Sequence, residues 1–339
     1  MQSISVIPND PIEAYHARAN VGSSFLKAFQ RSPLHAWSAY LDPEREQTDK
    51  LAYRIGRAWH CALFEPAEFA ERYTADHADN KLTTRAKLLA RLRSGDVERM
   101  SLIGVPDDIG KTTKAGKELY AEIEARGQIA LPSTDLQWVL DELMRMGSAD
   151  VLPADKMADV LRMARIARRH PISRVIFDHQ DLAGIGHAEV SIMDTDPATG
   201  LPLKIRPDYL VQPCAQFPHG LVIDGKSCVD ASRDGFGRAV WNYDYGLQAA
   251  LYTQVAQRIL GTSGRPAFVW LAQEKARPYA AQYFAAGDNL LEYWDDRIAE
   301  LLPHVAECMA SGAWPGYPAT VETLALPAWA EARMSEDEG

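Results

Sequence analysis

The sequence contains no apolar run of 18 or more residues, so nothing in it reads as a transmembrane helix. Its opening, MQSISVIPNDPIEAYHARAN, lacks a basic segment followed by an apolar stretch, which excludes the pattern of a secretory signal. Cysteine is scarce: Cys61, Cys214, Cys228 and Cys308 are the four present, and none forms a CxxC pair. Their spacing fits neither a zinc site nor an iron–sulfur cluster, and they read as free thiols of a reducing compartment. There is no GxxxxGK[ST] loop to cradle a nucleotide phosphate. Positive charge is in deficit too. A net charge of −10 counts against binding nucleic acid by bulk attraction, though it leaves a locally basic groove open. These absences point to a cytoplasmic protein that neither crosses a membrane nor carries an iron–sulfur cluster.

What is present is the composition of a globular chain: 339 residues, 47% hydrophobic and 24% charged, enough to bury a sizeable core. Three zones can be separated. Residues 1–73 read as helical. Ser23-Ser24 can cap a helix through Phe29 that ends at Ser32-Pro33, and a second helix is expected over about 49–64, where Leu51, Ile55, Ala58 and Ala62 recur at helical spacing. The zone from about 74 to 170 is charged and helical, with basic stretches at 81–93 and 111–117 and helices expected over about 135–146 and 154–168. From about 180 to 311 the pattern changes. GHAEVSIMD, LPLKIRPDYLV and HGLVIDGKS read as three strands, the first two forming a hairpin around Asp196–Gly200. A long helix over about 234–259, strands at AFVWLAQE and AAQYFAA, and a final helix over about 289–310 follow. This order predicts an α/β fold: a central mixed β-sheet with a crossover helix, flanked by helices, behind a helical N-terminal region.

The chemistry concentrates on the expected strands. Glu189, Asp208 and Asp224 each sit among apolar neighbours on three successive ones. Carboxylates placed so are costly and repel one another unless a cation joins them, and an oxygen-rich set favours magnesium or manganese. Lys226 stands two residues after Asp224 and therefore on the same face of a strand, where its ammonium can orient or deprotonate a water and offset phosphate charge. Gly225 between them leaves room for a close approach. Lys204 and Arg206 precede Asp208 on its strand, Arg206 at the spacing that shares its face, and both are candidates for phosphate contact. A D-x-K triplet alone is usually incidental. Pro207-Asp208 followed by Asp224-Gly225-Lys226, with an acid upstream, is more specific.

This arrangement resembles the PD-(D/E)XK nuclease superfamily. Gln248 and Tyr252, four apart on the expected long helix, resemble the Gln-x-x-x-Tyr pair that lines the active site in its RecB-like branch. Gly56-Arg57-Ala58-Trp59-His60 resembles the G-x-x-x-H helix of RecE-like exonucleases, of exodeoxyribonuclease VIII type, whose histidine contributes to the metal site. Tyr15-His16, Ser23-Ser24-Phe25-Leu26-Lys27, Lys114-Ala115-Gly116-Lys117-Glu118, Leu201 through Asp208 and Trp314-Pro315-Gly316-Tyr317 resemble further family segments, so the likeness runs from about residue 12 to about residue 330. Ser227 stands where family members often have threonine.

The resemblance implies a single nuclease domain over 1–339, with 1–170 its mainly helical N-terminal part and 180–311 the PD-(D/E)XK core. It implies a magnesium-dependent exonuclease that degrades linear double-stranded DNA from its ends, 5′ to 3′, leaving 3′ single strands for recombination by annealing. His60, Glu189, Asp208 and Asp224 would bind two Mg2+ ions, or Mn2+. Asp208, Asp224, Lys226, Gln248 and Tyr252 would be the catalytic set, with Lys204 and Arg206 on the substrate. A homo-oligomeric ring and a RecT-like single-strand annealing partner are implied by the same likeness. An endonuclease or repair nuclease, or a non-catalytic DNA-binding module of this fold, would share most of these features.

Overall fold

The computed structural model describes residues 5–8, 10–45, 50–76, 150–178 and 184–325. The basic stretches at 81–93 and 111–117, the helix expected over 135–146 and the segment 114–118 lie outside the described residues.

The N-terminal part begins with strand β1 (Ser5–Ile7) and helices α1 (Ile12–Ala17), α2 (Ser23–Arg31) and α3 (Pro33–Tyr40). Ser23 and Ser24 lie inside α2, and Gly22 takes the cap position expected of them. Ser32 divides α2 from α3. Its extended backbone ends the first, its hydroxyl accepts from the His35 N–H to start the second, and Pro33 sits in the first turn, where a missing N–H costs nothing. Helix α4 (Leu51–Phe64) buries Ala58, Trp59, Ala62 and Leu63 and is followed by α5 (Pro66–Arg72). Strand β2 (Tyr73–Asp76) pairs in parallel with β3 (Asp150–Pro153), which leads into α6 (Ala154–Arg169) and α7 (Pro171–Phe177).

Strands β4 (Gly186–Ala188), β5 (Ser191–Thr195), β6 (Pro202–Ile205), β7 (Tyr209–Val211), β8 (Leu221–Cys228), β9 (Ala267–Glu274) and β10 (Ala281–Ala285) build the rest. Five of them form a mixed sheet in the order β10-β9-β8-β7-β4. The apolar run Leu221-Val222-Ile223 makes β8 a central strand, buried on both faces, antiparallel to β7 and parallel to β9. The parallel step is bridged by α8 (Arg233–Asn242) and α9 (Tyr245–Leu260), and α10 (Asp288–Ser311) follows β10. Val222, Phe268 and Trp270 pack with α9 and α10 on one face, while Ile223 and Leu271 pack with α4 and α6 on the other. The fold is therefore the expected α/β arrangement, a mixed sheet flanked by helices.

Two expectations need correction, and both corrections shape the site. The helix foreseen over 234–259 is two helices, because Asp244 adopts a left-handed backbone, φ 50°, between α8 and α9. GHAEVSIMD and LPLKIRPDYLV are each two strands rather than one. The hairpin β5–β6 turns at Asp196–Gly200 as expected, but it belongs to a separate sheet, β1-β5-β6, while β4 and β7 join the main sheet. The chain changes sheets at Glu189, φ 50°, and again through Arg206-Pro207-Asp208, where proline removes a ladder donor. Glu189 and Asp208 thus occupy adjacent corners, tied by the Glu189 N–H donating to the Asp208 carbonyl at 3.1 Å. Of the three acids, Asp224 alone is within a regular strand.

Gly225, between Asp224 and Lys226, faces the opposite side of β8, where a β-carbon would stand 3.0 Å from the Trp59 ring and 3.2 Å from Phe64. Trp59 is fully buried and has no room to retreat. Gly225→Ala should lower stability by about 1–3 kcal/mol through overpacking, read as a fall in denaturation midpoint. An unchanged midpoint would show that α4 is not seated on β8 as described.

Candidate active site

The two sheet corners, the centre of β8, helix α4 and helix α9 converge. Helix α4 presents His60, whose Nδ1 lies 3.3 Å from Asp208 Oδ2. The same Asp208 oxygen accepts the Gly225 N–H at 2.6 Å, so the corner is fastened to the middle of β8. A ligand atom from each of His60, Glu189 and Asp208 lies within 4.8 Å of the other two, close enough to share one cation. One imidazole nitrogen and two carboxylates make an oxygen-rich set suited to magnesium or manganese, and Glu189 and Asp208, close together and largely buried, gain from a divalent charge between them.

Asp224 is not among these ligand atoms. Its carboxylate accepts Gln248 Nε2 at 2.7 Å and forms an ion pair with Lys226, its neighbour two residues along the same strand face. Lys226 in turn lies over the Tyr245 ring, Nζ 4.9 Å from the centroid. Tyr252, a turn beyond Gln248 on α9, is buried with its hydroxyl against the Arg206 backbone. The structure brings His60, Glu189 and Asp208 together as one group, and Asp224, Lys226 and Gln248 as another beside it.

The two residues expected to meet phosphate line the cavity that His60, Glu189 and Asp208 also border, but their charged ends are engaged within the protein. Lys204 Nζ donates to the carbonyls of Tyr15 and Arg18 at 2.9 and 2.6 Å. Arg206 bonds Glu189 Oε2 at 2.8 Å, the Asp10 carbonyl at 2.7 Å and Ser191 Oγ at 2.9 Å. The strand break at residues 206–208 spoils the two-residue alternation that put Arg206 on the face of Asp208. In this geometry Lys204 ties β6 to the N-terminal segment, and Arg206 fixes the Glu189 side chain.

Electrostatics follow from burial and neighbours. Burial pushes the Glu189 carboxyl up to about 7, with the nearby Asp208 charge adding to it. Burial also raises Asp224 above the usual carboxylate range, against the pull of Lys226. For Asp208 burial works upward, but the His60 charge and hydrogen bond outweigh it and leave the group below its ordinary value. His60 is the reciprocal case: burial lowers it, and Asp208 overrides this and lifts it to about 9. Lys226 is held above its ordinary value by Asp224 and Asp208 despite burial. A cavity of about 540 Å³ borders His60, Glu189, Asp208 and Tyr252, and Arg45 and Arg57 line it as well, so the site is locally basic in a chain of net negative charge.

Two contributors were not singled out in the sequence. Tyr245 precedes Gln248 by three and Tyr252 by seven, the spacing of one helix face, and that signal was available. Lys27, on α2, lies near the same ring, Nζ 5.1 Å from the Tyr245 centroid; it belongs to the family-like segment Ser23–Lys27, but that likeness assigned it no role.

Residues 147–327 match a family model described as "PDDEXK-like domain of unknown function (DUF3799)". No curated protein matches the chain. Among solved structures, the chain is similar to a Eubacterium rectale protein titled "Putative exonuclease", at 13% identity and a TM-score of 0.47, over 93% of this chain and 92% of that one.

Two outcomes are expected. Arg206→Ala leaves the Glu189 carboxylate buried without its partner and should cost about 3 kcal/mol of stability, whereas a phosphate-contacting arginine would cost affinity for DNA and little stability. Cation binding should also depend on pH. Glu189 holds its proton below about 7 and His60 below about 9, and both must release it to bind a metal. Affinity for Mn2+ should therefore rise from pH 6 to pH 9, with proton release visible as a buffer-dependent calorimetric heat. A flat profile would remove these two residues from the ligand set.

Proposed function

This chain belongs to the PDDEXK-like family whose model spans residues 147–327, and on that premise we propose that it is a metal-dependent nuclease that hydrolyses DNA phosphodiesters. The observation that carries the reading is the meeting of a ligand-ready group, His60, Glu189 and Asp208, with a charged strand pair, Asp224 and Lys226, that Gln248 orients. His60, Glu189 and Asp208 would hold Mg2+ or Mn2+, and Asp224 could join them once Lys226 turned toward substrate. Such a cation, when bound, polarises a phosphoryl oxygen and makes a bound water more acidic.

The chain's own groups have separate tasks. Lys226, held protonated by Asp224 and Asp208, offsets charge that builds on the phosphate. Gln248 fixes one oxygen of Asp224, so the carboxylate can turn only about that anchor. Arg206 locks Glu189, and the Gly225 N–H locks Asp208, which leaves little reorganisation when substrate arrives. Tyr252 is buried beside the Arg206 backbone and lines the same cavity as Asp208.

The finer reading is an exonuclease on linear double-stranded DNA, working 5′ to 3′ in the cytoplasm as a homo-oligomeric ring and handing 3′ single strands to an annealing protein. Its support is the likeness of residues 52–73 and 184–252 to RecE-like exonucleases. The decisive test is cleavage of end-labelled linear duplex beside covalently closed circular DNA, with Mg2+, with EDTA, and with Lys226→Ala. Loss of the linear duplex alone is expected, abolished by EDTA and slowed at least about 1,000-fold in the variant, on the scale of removing a charge-stabilising donor. Cutting of the circle would replace the exonuclease by an endonuclease. Failure to cleave either would overturn the nuclease.

A further inference from the structure

Lys27 carries a second positive charge close to Lys226. It sits on α2, partly buried, and its one described contact is the Tyr245 ring. Among the described residues no carboxylate forms an ion pair with it. The carboxylates near it are Asp224, already held by Lys226 and Gln248, and Asp244, which accepts Gln30 Nε2 at 3.3 Å. Burial, reinforced by the Lys226 charge, lowers Lys27 to about 8. Two ammonium groups thus approach one tyrosine ring at 5.1 and 4.9 Å, and among the described residues only Lys226 forms an ion pair. Leaving a cation so placed is costly unless an anion comes from outside.

The ring between them continues outward. Tyr243 lies 5.6 Å from Tyr245, centroid to centroid, and is 63% exposed. Two residues before Tyr243, Trp241 is 60% exposed and packs on α10, its ring 5.5 Å from that of Tyr293, itself 45% exposed. Large aromatic side chains left in water have a ready ligand class. Nucleobases stack on such rings whatever their sequence, and the phosphates between them seek isolated cations. A duplex keeps its bases stacked inside and has little use for such rings, whereas a single strand offers both parts.

We propose that Lys27, Tyr245, Tyr243 and Trp241 form a subsite for single-stranded DNA beside the catalytic carboxylates, Lys27 taking a backbone phosphate and the exposed rings taking bases. The proposal rests on the nuclease reading and names where one strand runs once it is separated from its partner. It places the strand on the α8–α9 side of Lys226. Lys27 there is a binding residue that adds a positive charge beside Lys226, and it comes from outside the segment that matches the family model.

The test uses the full-length protein and 5′-fluorescein-labelled oligo(dT) of twelve nucleotides, with binding followed by anisotropy in EDTA so that cleavage plays no part. Tyr243→Ala and Trp241→Ala alter exposed side chains and should each weaken binding about tenfold, the scale of one lost base stack. Tyr243→Phe should bind like the parent. Lys27→Met should weaken binding about tenfold and reduce the dependence of log affinity on log salt by about one. Lys27→Arg should restore both. Parent-like oligo(dT) binding by all three loss variants would overturn the subsite, and so would a change in sedimentation on Trp241→Ala without a change in binding, which would assign the rings to a contact between copies of the chain. Cleavage of linear duplex by the parent, measured separately with Mg2+, keeps the two readings apart: cleavage with unaltered oligo(dT) binding sinks the subsite alone, and absence of cleavage sinks the nuclease.

Discussion

Three carboxylates cannot share a partly buried corner unless each is matched by a cation, and that constraint organises the structure around the site. Glu189 is matched by Arg206, Asp208 by His60 and Asp224 by Lys226. The three cations come from different places: the corner where the chain leaves the small sheet, a helix from the first quarter of the chain, and the central strand of the main sheet. Balancing the charge therefore requires the N-terminal helices, the β5–β6 hairpin and the five-stranded sheet to meet at one point. The hydrogen bonds from Gly225 to Asp208 and from Gln248 to Asp224 then hold the acids at fixed separations. A preformed set of this kind suits a reaction whose difficulty is the accumulation of negative charge on a phosphate.

Much of this was legible in the sequence because it obeys local rules. The run Leu221–Ile223 announces a central strand, the i, i+2 spacing of Asp224 and Lys226 puts both on one face, and the i, i+4 spacing of Gln248 and Tyr252 does the same on a helix. The structure keeps all three relations. What could not be read is what depends on interrupted periodicity. Glu189 and Asp208 sit at corners where the chain leaves one sheet for another, and a left-handed glutamate carries no local signature. Once the alternation is broken at Pro207, the face of Arg206 cannot be counted from Asp208, and the arginine read as a phosphate contact bonds Glu189 while still lining the cavity.

Lys27 and Tyr245 illustrate the other limit. Neither was assigned a role from its own stretch of sequence, and their significance lies in an approach across more than 200 positions of chain. Long-range juxtaposition of that sort is set by how α2 packs against α9, which in turn depends on Phe25, Leu26 and Phe29 filling the same core as Leu251 and Val255. Apolar packing thus decides which polar groups become neighbours.

The seating of Trp59 and Phe64 over Gly225 has a consequence for modularity. Similarity to the family covers residues 147–327, yet the face of β8 behind Asp224 and Lys226 is closed by side chains from α4, and His60 is borne on that same helix. The boundary that sequence comparison draws near residue 147 therefore runs through one hydrophobic core. The matched segment is not a cassette that could be excised or grafted with its chemistry intact, because its cover and one of its candidate ligands travel with the other part of the chain.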